Sequence, residues 1–83
     1  MDDRRKRLMY QANHRGMMET DALVGGYAAK ALAGMDDSEL VEFERILDEN
    51  DNDLLNWLLE REAIPDRIDG PMMQNLINYK KSL

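Results

Sequence analysis

The sequence contains no cysteine, which excludes disulfide staples, cysteine-ligated zinc, iron–sulfur clusters and thiol catalysis. Histidine occurs once, as His14, and a lone imidazole beside Arg15 supplies no metal-ligand set. The two serines, Ser38 and Ser82, sit in no G-x-S-x-G elbow and far from His14 in the chain. Acidic pairs such as Asp36-Asp37 and Asp51-Asp53 lack the glycine-centred loop of a calcium site. No run approaches the ~18–20 apolar residues that span a bilayer. None alternates apolar and polar residues with β-branched enrichment, so strands are not expected. The basic start, Met1 to Arg7, is followed by Leu8 to His14, too short and too polar for a signal-peptide core. The expectation is a cytoplasmic protein without membrane insertion; a mitochondrial matrix protein would need a leader that has been removed.

What is present describes one small domain, residues 1–83. A chain of 83 residues buries only about 60–65% of the surface that it exposes unfolded. That suffices for one compact core and leaves little room for an enclosed active site. The formal charge is −6 and unevenly placed. Five basic residues among the first fifteen (Arg4, Arg5, Lys6, Arg7, Arg15) face only Asp2 and Asp3, whereas residues 36–69 hold thirteen carboxylates against three arginines. Such polarity can steer an encounter with a partner, and it also describes ordinary solvated helix faces.

The punctuation predicts an all-α bundle of five short helices. The first starts at Asp2 or Asp3, carries Leu8, Met9 and Ala12 inward, and stops at Gly16, with Arg15 complementing its C-terminal end. The second runs from about Met17 to Leu32 on Leu23, Val24, Tyr27, Ala28 and Ala31. Gly25-Gly26 in its middle costs roughly 1 kcal/mol per glycine, which implies either close helix–helix approach or a kink. Asp36-x-x-Glu39 is a capping box, with Met35 as a staple on Leu40, and Leu40, Phe43, Ile46 and Leu47 follow at helical spacing. Asp51 is expected to cap a fourth helix carrying Leu54, Leu55, Trp57, Leu58 and Leu59, which Ile64-Pro65 stops. Pro71 opens the last helix, with Met72, Met73, Leu76, Ile77 and Tyr79, ending at Lys80-Lys81. Trp57 reads as a packing anchor.

The turn between the first two helices gathers an imidazole, a cation, two methionines and two carboxylates in His14-Arg15-Gly16-Met17-Met18-Glu19-Thr20-Asp21. Local physics explains part of it: Gly16 permits the reversal and Glu19 suits the first turn of a helix. The flexible thioethers of Met17 and Met18 suit a protein-binding surface.

Arg15-Gly16-x-x-Glu19-x-Asp21 resembles the RGxxE signature of the succinate dehydrogenase assembly factor 2 family. Asp51-Asn52-Asp53-Leu54-Leu55-Asn56-Trp57-Leu58 resembles the same family's D-x-D-L-x-x-W-[LI] segment, and the order and spacing between them agree over roughly residues 4–79. Members commonly carry a second basic residue before the arginine and a leucine after the glutamate, where this chain has His14 and Thr20. The resemblance implies a non-enzymatic chaperone that binds the flavoprotein subunit of succinate dehydrogenase, and in bacteria that of fumarate reductase. It would promote covalent attachment of FAD to a histidine of that subunit, holding the histidine nitrogen against the flavin 8α-carbon. The residues implied to meet the client are Arg15, Gly16, Glu19 and Asp21, with His14, Met17 and Met18 beside them. No metal and no tightly held cofactor of its own are implied, FAD being the client's, and the chain would be a monomer that pairs with its client. The alternative is a small regulatory or antitoxin-like protein that uses Arg4-Arg5-Lys6-Arg7 on nucleic acid or a protein target. The acidic total and the lack of an aromatic stacking platform oppose the nucleic-acid half of it.

Overall fold

The structure is a computed structural model that describes all 83 residues, and it contains five helices and no strand. Helix α1 spans Asp3–Asn13. Helix α2 covers residues 18–31 as one rod: an opening turn at Met18–Thr20, a π turn at Asp21–Gly25 and an α segment at Gly26–Ala31, followed by a 3-10 turn at Leu32–Gly34. Helices α3 (Asp37–Leu47), α4 (Asp51–Leu58) and α5 (Pro71–Lys81) complete the bundle. No helix is long and apolar enough to cross a membrane.

Three helix starts form as their sequences dictate. Asp2 caps α1 by accepting the Arg5 backbone N–H at 2.8 Å. That hydrogen bond holds the Asp2 carboxyl below the usual carboxylate range. Its folded value being the lower one, the cap acts in full above the ordinary range and is lost as pH falls through the folded value. At α3 the capping box is closed, Glu39 N–H donating to Asp36 at 2.8 Å and Asp36 N–H to Glu39 at 3.1 Å. Pro71 occupies the first position of α5, where its missing N–H costs nothing.

Two boundaries differ from expectation. Asn50, not Asp51, caps α4, its side-chain oxygen accepting the Asp53 N–H at 2.9 Å. Both residue types can cap, and the choice frees the Asp51 carboxylate to pair outside its own helix. Helix α4 also stops at Leu58, well before Pro65. Glu60 adopts a left-handed φ of 59°, while its N–H bonds to the Trp57 carbonyl at 3.1 Å and the Arg61 N–H to that of Asn56 at 2.8 Å. This is a Schellman termination with glutamate at the position that glycine usually fills. Glu60→Gly is therefore expected to stabilise the protein by about 0.5–1 kcal/mol, the relieved strain outweighing the extra unfolded-state entropy. The exposed pair that Glu60 makes with Lys81 at 3.3 Å subtracts little. In a thermal melt the gain reads as a rise of ~2–8 °C; a lower midpoint would contradict the assignment.

The core draws on all five helices. It contains Leu8 and Ala12 from α1, Val24 and Ala28 from α2, Phe43 and Ile46 from α3, Leu54 and Trp57 from α4, and Met73 and Leu76 from α5. Met35 and Leu40 are both buried, as a staple requires. The glycine pair resolves as close approach beside a local irregularity. A β-carbon on Gly25 would overlap the Asn13 side chain, and one on Gly26 would lie 2.5 Å from the Tyr79 hydroxyl. A larger residue at either place would require the Asn13 or Tyr79 side chain to shift, and the π turn ends at this point.

Candidate functional site

Helix α1 ends at Asn13, and His14 leaves it with φ −131° and ψ 53°. His14 Nδ1 donates to the Tyr10 carbonyl at 2.7 Å, since a carbonyl can only accept. Its ring stacks on Tyr10 with centroids 3.9 Å apart and planes 14° from parallel. Both residues are exposed. Gly16 follows with φ 99°, a conformation that side-chain-bearing residues rarely adopt, and it turns the chain into α2.

Arg15 does not complement the end of α1, the role expected of it. Its side chain turns inward, 6% exposed, and its Nε donates to Asp51 Oδ1 at 2.7 Å. The two terminal nitrogens donate to the carbonyls of Leu47 and Glu49. One guanidinium thus serves the open carbonyl end of α3 and the first residue of α4 together, where a cation is favoured. Its backbone N–H donates to Asp21 Oδ1 at 2.7 Å, closing the turn from the other side. Thr20, the departure after the glutamate, is fully buried, and its hydroxyl donates to the Met17 carbonyl at 3.1 Å. The side chain that departs from the family pattern is accommodated with its polarity satisfied.

Glu19 stands apart from these contacts. Its side chain is exposed and makes neither an ion pair nor a hydrogen bond within the molecule. Its neighbour Met18 is 83% exposed, and Met17 is half-buried. The seven residues singled out from sequence therefore fall into two groups. Arg15, Gly16 and Asp21 build the turn, with their polar groups directed at the protein itself. His14, Met18 and Glu19 are displayed to solvent, with Met17 between the two groups. Two participants were not singled out: Tyr10, which carries the histidine, and Asp51, which holds the arginine. The D-x-D segment contained Asp51, but nothing in linear order links it to a residue 36 positions earlier.

The basic N-terminal segment is partly engaged as well. Arg5 donates to the carbonyls of Leu32 and Met35 at the end of α2 and pairs with Asp2. Arg7 pairs with Glu44 at 3.2 Å. Trp57 is 4% exposed, as a packing anchor should be, with the Arg67 guanidinium 5.9 Å from its ring. The Arg67 pKa is raised chiefly by its hydrogen bond to Glu49. The most enclosed hollow measures about 150 Å³, is lined by residues including Glu42, Arg45, Arg67 and Met72, and shares none with the turn. A shallower, open hollow of about 360 Å³ lies at the turn, lined by residues including His14, Arg15 and Asp51.

Comparison with known proteins places this geometry in context. The family model described as "Flavinator of succinate dehydrogenase" matches residues 6–80. The FAD assembly factor SdhE of Acetobacter pasteurianus is 39% identical over 74 residues, which cover 89% of this chain and 68% of that protein. A mitochondrial succinate dehydrogenase assembly factor 2 from Mycosarcoma maydis is 48% identical over 61 residues, covering 74% of this chain and 26% of its own length. The protein of that name from Dictyostelium discoideum is 30% identical over 78 residues, covering 94% and 55%. The chain thus spans about two thirds of the bacterial relative and a smaller part of these mitochondrial ones.

Proposed function

The chain belongs to the family of flavinators of succinate dehydrogenase, and from that premise we propose that it is an assembly factor that promotes covalent flavinylation. Its client is the flavoprotein subunit of succinate dehydrogenase, and in a bacterium that of fumarate reductase as well. FAD is the client's cofactor and becomes attached to a histidine of the client. This chain contributes no catalytic group, acts as a monomer that pairs with its client, and works by orientation. Holding two reacting groups in a near-attack arrangement can be worth about 7–11 kcal/mol, so a helper needs no chemistry of its own.

The observation that carries the reading is the unpartnered carboxylate of Glu19, displayed with Met18 and His14 on a turn whose other members are directed inward. A solvated carboxylate with a fixed backbone is a ready acceptor for donors on a client surface. The nucleic-acid alternative finds no such support: Arg5 and Arg7 are engaged within the molecule, and the relatives named above are assembly factors.

The direct test expresses the flavoprotein subunit with and without this chain, denatures both samples, and compares flavin fluorescence in the subunit's gel band. Fluorescence that depends on the chain is expected. Equal fluorescence in the two lanes would overturn the proposal.

A further inference from the structure

We propose that Asp51 is a positioning residue: acting through Arg15, it sets the orientation in which Glu19 is presented to the client. The inference rests on the docking role proposed above and adds to it a residue on a different helix. All three donor directions of the Arg15 guanidinium are engaged, Nε by Asp51 at 2.7 Å and the terminal nitrogens by the Leu47 and Glu49 carbonyls. Both side chains of the ion pair are largely buried, at 6% and 15% exposure. The guanidinium is thus directed at its internal partners and turned away from solvent.

The other end of Arg15 governs the turn itself. Its N–H holds the Asp21 carboxylate at 2.7 Å, six residues on, so that Gly16 to Thr20 form a closed loop with Glu19 inside it. Gly16 lies against the same Asp51, whose second oxygen would be 3.7 Å from a β-carbon placed there. The α3–α4 junction, the arginine, the glycine and the closed loop make one continuous brace, with Asp51 at its base. Truncating either member of a buried pair leaves the other's charge uncompensated, so the brace opens when Asp51 is removed.

Two arms test the proposal. The first needs no client. Arg15 in the braced state is withheld from trypsin, and Asp51→Ala is expected to speed cleavage after Arg15 at least tenfold. Ile77→Val, which removes a buried methyl from α5, serves as a control that lowers stability without touching the turn. The second arm measures affinity for the purified flavoprotein subunit at a temperature where circular dichroism shows every variant folded. Asp51→Ala is expected to bind at least tenfold more weakly, with Asp51→Asn intermediate at about threefold because it keeps an acceptor. The double variant Arg15→Gln/Asp51→Ala should be no weaker than the worse single one, as members of one unit are non-additive. Should Asp51→Ala fail to fold, Asp51→Asn carries both arms. An arginine that docks directly predicts the opposite: freeing its guanidinium leaves affinity equal or improves it, and that result overturns the proposal. So does unchanged trypsin cleavage, or an equal affinity loss in Ile77→Val. If the wild-type chain fails to bind the subunit, the docking role falls and this proposal with it; a wild type that binds while Asp51→Ala binds equally well overturns the positioning role alone.

Discussion

Glu19→Ala is expected to reduce covalent flavin on the client at least about tenfold while leaving the protein folded and nearly as stable as before. The carboxylate has no internal partner, so its removal breaks nothing within the molecule. What is lost is its contribution near the start of α2, about 0.3–1 kcal/mol from the helix dipole. That amounts to a midpoint shift of less than about 8 °C. The functional loss is larger because a hydrogen bond to a charged group is worth about 1.5–3 kcal/mol, or roughly 10–150-fold. Gel fluorescence of the client and a thermal melt of the variant measure the two effects separately. Full activity would remove Glu19 from the docking surface. Unfolding would mean that the turn is structural throughout. Glu19→Gln distinguishes charge from shape: recovery to wild-type fluorescence would show that an uncharged acceptor suffices.

Trp57→Ala tests the opposite property, since it should cost stability of a magnitude that no surface change approaches. Truncating a buried tryptophan costs about 3–5 kcal/mol. A domain of this length holds only about 4–12 kcal/mol in total, at 0.05–0.15 kcal/mol per residue. The expected fall in melting temperature is ~12–40 °C, followed by far-ultraviolet circular dichroism. The lower end leaves a folded but fragile protein, and the upper end leaves none at ambient temperature. Trp57→Phe keeps an aromatic body and should lose much less. A drop below about 5 °C for the alanine variant would contradict the burial of the indole. Any flavinylation defect that accompanies it is expected to recover on cooling, unlike that of Glu19→Ala.

Much of the fold is legible in the sequence because the signals are local. The Asp36 capping box, Pro71 at the start of α5, and the spacing of Leu40, Phe43, Ile46 and Leu47 each require only a few neighbouring residues to interpret. Legibility fails where a choice is settled by something distant. Asn50 and Asp51 are equally able to cap α4, and what separates them is a guanidinium from the first turn of the chain. The early end of α4 was concealed for a different reason. Glutamate is a poor marker for a left-handed residue, and Ile64-Pro65 offered a more conventional stop. The candidate site shows the same division. The residue types of its turn stand out in linear order, whereas the direction of the Arg15 side chain depends on a junction more than thirty residues away.

The π turn in α2 adds a consequence of its own. Each residue advances an α-helix by about 100°, so accommodating one extra residue rotates everything before it relative to everything after. Gly25 and Gly26 face Asn13 and Tyr79, while Glu19 faces away from the protein. The phase along the helix between these two positions depends on the count of residues, in addition to the contacts that brace the turn. Residues 21–25 should therefore accept substitution at the exposed Ala22 more readily than any change in length. Losing one residue there would leave the sequence of the turn intact and point it in the wrong direction.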